Sequence, residues 1–328
     1  MSVNRPTRFA FIDAIKGLAI LGVLFIHMGF ASRFDAATLG KVQLLQSLFA
    51  WCVLAFFFAS GFLHRSSGHL GEDLKPFIAK RAWRLLVPCA AFSWSYKVLL
   101  FAAHRAGFMS SGTLPSLATP ADVLTTILTP AAPQFYFLVH LFVIAVAVQF
   151  VMRIPALGSR AAQWLLAAAI LQSYWLLPLD KPHGEALTHL PLYTAAYLLG
   201  LQTARLDRES DLLSLARDPF FLLFAASVAA LSFSRPQILH LCVPLLLFAS
   251  TRIMPAVADS PLHFLGRHSG AIYAWHTPIV MPALSTLLTR LPFTGWPLIL
   301  AMCAATLALS LLLDSLMRRF DKMGFFRL

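Results

Sequence analysis

Charge is scarce in this sequence: Asp, Glu, Lys and Arg together make up 12% of the residues, where soluble proteins carry roughly 25%. Disordered chains, solvated coiled coils and nucleic-acid-binding domains all need charged surface, so these classes are excluded together and no nucleic-acid partner is expected. Cysteine is also rare. Cys52, Cys89, Cys242 and Cys303 lie in apolar runs without CxxC spacing, which argues against a disulfide scaffold or a metal site and leaves them as small core residues. Serine-hydrolase elbows, P-loops, GxGxxG turns and HExxH zinc sites are missing. What is plentiful is apolar surface: 59% of residues are hydrophobic, and the mean hydropathy is +0.73. Length alone, 328 residues, would allow about two or three soluble domains. No aqueous fold hides that much apolar area, so the expected architecture is all-α, a polytopic membrane helical bundle forming one domain over 1–328 with the lipid bilayer as its surroundings.

A spanning helix needs about 20 apolar residues. Runs near 9–31, 42–63, 85–103, 135–152, 161–178, 190–204, 219–234, 236–251, 270–289 and 294–316 meet or approach that length, which predicts ten spans. Basic residues resist translocation and collect on the cytoplasmic side. With the N-terminus inside, the inner segments hold 18 Lys and Arg residues and the outer segments 6, Lys16 and Lys97 lying within spans. Both termini and the 64–84 loop are then cytoplasmic, and the net charge of +12 reflects topology. Arg5 and Arg8 ahead of an apolar stretch imitate a signal peptide, but Asp13 and Lys16 interrupt it and no convincing cleavage site follows, so it is read as a mature helix. The outer loop near 104–134, rich in Ser, Thr, Pro and Ala, is expected to be irregular. No internal repeat and no soluble appendage is visible.

A charge inside a span costs about 2.5–3.5 kcal/mol on insertion scales, which makes it a functional candidate. In helix one, Asp13 precedes Lys16 by three residues, and His27 follows Lys16 by eleven, roughly 20° from alignment and about 16 Å along the axis. Two readings stand: one functional stripe, or a neutralised Asp-Lys pair with an interfacial histidine. Arg81 and Arg84 share a helical face and suit bidentate phosphate binding; positive-inside anchoring beside Trp83 explains them equally. Ser60 and Gly61 close an aromatic run and read first as close helix packing. His276 precedes Pro278, which removes a backbone donor and can kink a helix, so this imidazole either lines a cavity or is satisfied in the core. His140 and His240 read as structural.

Together these residues resemble the acyltransferase 3 family of integral membrane O-acyltransferases, especially its fucose 4-O-acetylase-like branch. The segment Phe11–Ala19 with His27 resembles the family's opening, a basic residue and a histidine separated by ten positions. Phe57–Leu63 resembles its SGF segment, Arg81, Arg84 and Pro88 its RxxR-to-proline run, and Leu265–Ser269 with Ile272–Pro278 its glycine-to-YxxH segment. Lysine at 16, where many members have arginine, fits that branch. At 134–138 the chain reads Gln134-Phe135-Tyr136-Phe137-Leu138 where the family usually has a Trp-Phe pair. The resemblance implies transfer of an acetyl group from cytoplasmic acetyl-CoA to a hydroxyl of a sugar in a cell-surface glycan or lipid-linked saccharide, in a bacterial plasma or inner membrane. No bound cofactor or metal is expected. In this scheme His27, Lys16 and Asp13 are catalytic, with His27 suited to general base work. Arg81, Arg84, Ser60 and Gly61 bind the donor, and Tyr136, Tyr273 and His276 attend the acceptor or support the site. The rival reading from another class is a multi-span transporter or flippase of a glycan precursor or small molecule, which would also hold ionisable groups in a bundle.

Overall fold

The computed structural model describes residues 9–28, 34–107, 119–122, 135–176, 189–209, 216–253, 260–288, 292 and 294–321. Most of the 104–134 loop and Arg5, Arg8, Arg33, Gln134, Lys181, Arg290, Lys322 and Arg327 lie outside the described residues. Among those described there is no strand. The helices are, in chain order, α1 (Ala10–His27), α2 (Ala36–Leu48), α3 (Cys52–Ser66), α4 (Leu74–Arg105), α5 (Tyr136–Val151), α6 (Arg160–Leu176), α7 (Leu190–Glu209), α8 (Pro219–Ser232), α9 (Cys242–Ile253), α10 (Pro261–Arg267), α11 (Ser269–Trp275), α12 (Met281–Leu288) and α13 (Trp296–Phe320). A 3-10 turn, Pro236–Leu241, leads into α9, and a π-turn, His276–Val280, joins α11 to α12.

By length and composition, four helical stretches can cross a membrane: Ala10–His27, Ala36–Ser66, Leu74–Ala102 and Trp296–Phe320. Shorter apolar helices occupy Tyr136–Val151, Pro219–Ser232 and Pro236–Thr251. Two differences from the sequence pattern have local causes. The run expected over 42–63 is divided at Phe49–Trp51, where the ring of Phe49 packs on Phe25 and Trp51 and covers the face of Gly22. The third span begins at Leu74 rather than near 85. A 32-residue helix is about 48 Å long against a hydrocarbon core of about 30 Å, so it is longer than a crossing requires. Cys52, Cys89 and Cys303 are buried as expected; Cys242, at the start of α9, is exposed.

The chain divides into two compact units. Unit 1 comprises Met1–Ile26, Val42–Phe77 and Ile144–Ser269; unit 2 comprises His27–Lys41, Ile78–Val143 and Gly270–Leu328.

Unit 1 is organised around α3 and α7, whose backbones meet at two glycines. A β-carbon on Gly61 would collide with the carbonyl of Tyr197, and one on Gly200 with the carbonyl of Phe58. In lipid, such close approach supplies the packing that hydrophobic exclusion cannot. The contacts also fix direction. Phe57 stacks on Tyr193 near the N-termini of α3 and α7, while Arg65 and Gln202 both donate to Gln163 Oε1 near their C-termini, so the two run parallel. Gln163 belongs to the first turn of α6, and Tyr174 at the far end of α6 meets His189 beside the start of α7, so α6 is antiparallel to both. Gln149, late in α5, bonds His64, late in α3. Trp164, early in α6, donates to Asp218, the N-cap of α8.

One end of unit 1 therefore gathers Arg65, Arg153, Arg160 and Arg205, all bonded to acceptors of neighbouring segments. The other end gathers Tyr174, Trp175, His189 and Arg235. At the arginine-rich end, Gln149 Nε2 donates to the carbonyls of His69 and Glu72, which forces its Oε1 to accept from His64 Nε2. His64 Nδ1 must then accept from the Tyr197 hydroxyl, at 2.6 Å. Every member is satisfied, and removing one would orphan a buried partner at about 1–3 kcal/mol.

In unit 2, Phe92 packs edge-on against Trp275, and Phe135 lies between Phe92 and Tyr273. Asp35 caps α2 by accepting from the Thr38 amide and hydroxyl, and these bonds hold its carboxyl below the usual carboxylate range. Thr38 Oγ1 in turn accepts from the amide of Gly295, whose φ of +67° places it in the region that favours glycine.

Candidate functional site

The two histidines singled out in the sequence meet in unit 2. His27 is the last residue of α1 and His276 opens the π-turn; their ring centroids are 5.3 Å apart and the planes are inclined at 56°. Pro278 lacks an N–H and so removes one donor from the helix ladder. The helix widens there into five residues of π geometry, an arrangement frequent at functional sites.

The widened turn fixes His276. Its Nδ1 lies 2.7 Å from the carbonyl oxygen of Tyr273 and 3.1 Å from that of Ile272. Carbonyls only accept, so Nδ1 carries the proton, and Nε2 is left as an acceptor, with the Thr277 hydroxyl at 3.2 Å. His276 is fully buried. His27 differs: it is half-buried and makes no hydrogen bond to the described residues. One imidazole is thus locked by backbone, while its neighbour makes no hydrogen bond to the described residues. Tyr273 lies 5.9 Å from the His276 ring and packs on Phe137. Tyr136 pairs with His140 at 5.3 Å, so it shares the unit but not this direct ring contact.

Asp13 and Lys16 form their own station in unit 1. Lys16 Nζ donates to Asp13 Oδ1 at 3.0 Å, and Asp13 sits in the first turn of α1, where the helix dipole favours a carboxylate. His263 Nε2 stands 3.7 Å from Asp13 Oδ2. α10 reaches this position because Gly17 accommodates the carbonyl of Leu262 and Gly266 that of Asp13, neither leaving room for a β-carbon. The pair is neutralised in place, and eleven residues of helix, about 16 Å, separate Lys16 from His27.

Arg81 and Arg84 occupy the early turns of α4, Arg81 half-buried and Arg84 exposed, with Trp83 exposed between them. They belong to unit 2. Ser60 and Gly61 lie on α3 in unit 1, where Gly61 has the packing use described above.

A family model for an acyltransferase domain matches residues 9–315. The chain belongs to the acyltransferase 3 family. The match runs from the residue before α1 to near the end of α13, so this acyltransferase 3 domain takes in both histidines, the Asp13–Lys16 pair and the arginine pair. Membership and the apolar helices make the protein a multi-pass membrane acyltransferase. No curated protein and no solved structure matches it. Among the described residues no group of three His, Cys, Asp or Glu side chains could hold a metal ion.

Sequence reasoning missed His263 and Thr277. Thr277 was adjacent to a flagged histidine and carried a usable signal, being a hydroxyl beside an imidazole at a helix interruption. His263 carried none, because its approach to Asp13 depends on two glycine-mediated backbone contacts between distant segments.

Proposed function

We propose that this acyltransferase moves an acetyl group from acetyl-CoA to a hydroxyl of a sugar in a cell-surface glycan or lipid-linked saccharide, with His27 as the general base. The observation that carries the reading is the half-buried His27 imidazole with no hydrogen bond to the described residues, set beside the immobilised His276. A neutral imidazole nitrogen with a free lone pair suits removal of a hydroxyl proton. The acceptor oxygen attacks the thioester carbonyl as His27 takes its proton; the C–S bond then breaks and CoA leaves as thiolate, which takes that proton from the His27 imidazolium and restores the neutral base. His276 holds the second ring in place, and Tyr273 and Tyr136 belong on the acceptor side. Asp13 and Lys16 shape the field along α1 or hold the donor.

The topology that suits this chemistry has ten spans with both termini cytoplasmic in a bacterial plasma membrane. The arginine-rich end of unit 1 supports that orientation, since basic residues mark the cytoplasmic side. Membranes containing the protein should transfer label from acetyl-labelled CoA to an extractable saccharide, and control membranes should not. Labelling that depends on the protein with a longer acyl-CoA but fails with acetyl-CoA would refute the acetyl assignment.

Arg81 and Arg84 are assigned to the donor phosphates. Changing both to Lys keeps the charge needed for insertion but removes the planar fork. KM for acetyl-CoA should rise about tenfold, a loss of roughly 1.4 kcal/mol in charge-assisted hydrogen bonding, with little change in kcat. An unchanged KM would make the pair membrane anchors only.

A further inference from the structure

We propose that the arginine-rich end of unit 1 carries a binding site for the phosphate of an anionic phospholipid, at the junction of α6 and α8. An opening of about 510 Å³ is lined there by Arg160, Ala161, Arg217, Asp218, Pro219 and Phe220. Its lining residues include two arginines and one aspartate, so their formal charge is net positive, and the rest of the lining is apolar.

The carboxylate is already committed. Asp218 is buried and accepts from Arg160 Nε at 2.6 Å, Trp164 Nε1 at 3.1 Å and the Phe220 amide at 3.0 Å. It caps α8 and pins Arg160 by the inner nitrogen of its guanidinium, leaving the outer two nitrogens as donors. Arg217 is exposed and has no ion-pair partner among the described residues. A pinned guanidinium beside an uncommitted one suits a phosphate monoanion, which takes paired N–H donors in their planar geometry.

The surroundings select a lipid over a free anion. Immediately beyond the charged opening, α8 exposes Phe220, Leu222 and Leu223, and α6 exposes Leu165. Apolar side chains exposed on the flanks of short apolar helices face acyl chains, and basic pockets between helices at the cytoplasmic interface bind anionic headgroups. The proposal is independent of the acetyl-transfer reading.

The test uses the full chain purified in a neutral detergent, titrated with short-chain phosphatidylglycerol, short-chain phosphatidylcholine or inorganic phosphate, with binding read by native mass spectrometry and thermal shift. Phosphatidylglycerol should bind and raise the unfolding temperature, and the other two should not. Arg217→Gln, which breaks no bond to the described residues, should weaken phosphatidylglycerol binding about fivefold, the effect of one interfacial basic residue. Arg160→Gln should weaken it further, at a cost to folding because Asp218 loses a partner; Arg217→Gln therefore decides the matter where Arg160→Gln fails to fold. Equal phosphatidylglycerol affinity in wild type and Arg217→Gln overturns the site. Equal binding of phosphatidylcholine or inorganic phosphate overturns its assignment to an anionic lipid.

Discussion

His27→Ala is expected to lower acyl transfer by about 10²–10⁴, the usual cost of losing a positioned general base, while leaving the protein in the membrane at wild-type level. The expectation of normal folding follows from the site. His27 is half-buried, lies at the C-terminal end of α1, and gives up no hydrogen bond to the described residues when truncated. His276→Ala provides the contrast. That side chain is fully buried and bonds two backbone carbonyls through Nδ1 inside the π-turn, so its removal leaves a cavity and unpaired carbonyls. Its signature should be lower thermal stability with a smaller rate defect. A His27→Ala protein that acetylates near the wild-type rate would sink the general-base assignment, although family membership would stand.

The second large effect is expected at the crossing of α3 and α7. Neither Gly61 nor Gly200 has room for a β-carbon, because each faces a backbone carbonyl of the opposing helix, and backbone cannot swing aside as a side chain can. Gly61→Ala and Gly200→Ala should each cost about 1–3 kcal/mol, and valine more, as overpacking of a filled interface. Thermal unfolding in detergent would register this, alongside KM for acetyl-CoA. The same measurement separates the two uses suggested for Gly61. Lower stability with an unchanged KM in the folded fraction marks a packing residue; wild-type stability with a raised KM would mark a donor contact and overturn the packing argument.

The helical class and the main apolar segments were legible because hydropathy reports directly on which segments can enter lipid. In unit 1, α3, α5 and α7 run one way and α6 and α8 the other. His27 and His276 were both visible as polar interruptions of apolar helices. Their proximity was not, because residues so far apart in sequence meet only through tertiary packing. The division of α2 from α3 escaped for a related reason: Phe49 is as apolar as its neighbours, and only its packing against Gly22 and Phe25 reveals the turn. The early start of α4 was hidden because charged residues end a hydropathy peak without ending a helix. The π-turn lay between these extremes, since Pro278 announces an irregularity but not its form.

The parallel pairing of α3 and α7 also sets a schedule for biosynthesis. His64 and its partner Tyr197 are 133 residues apart. At about 5–20 residues per second of translation, roughly 7–27 s pass between the emergence of the two helices. During that interval α3 resides in the bilayer with its glycine face unmatched and His64 without its phenol. Newly made chains that stall or terminate before α7 would present this polar, small-residue face to lipid, where membrane quality-control proteases can recognise them.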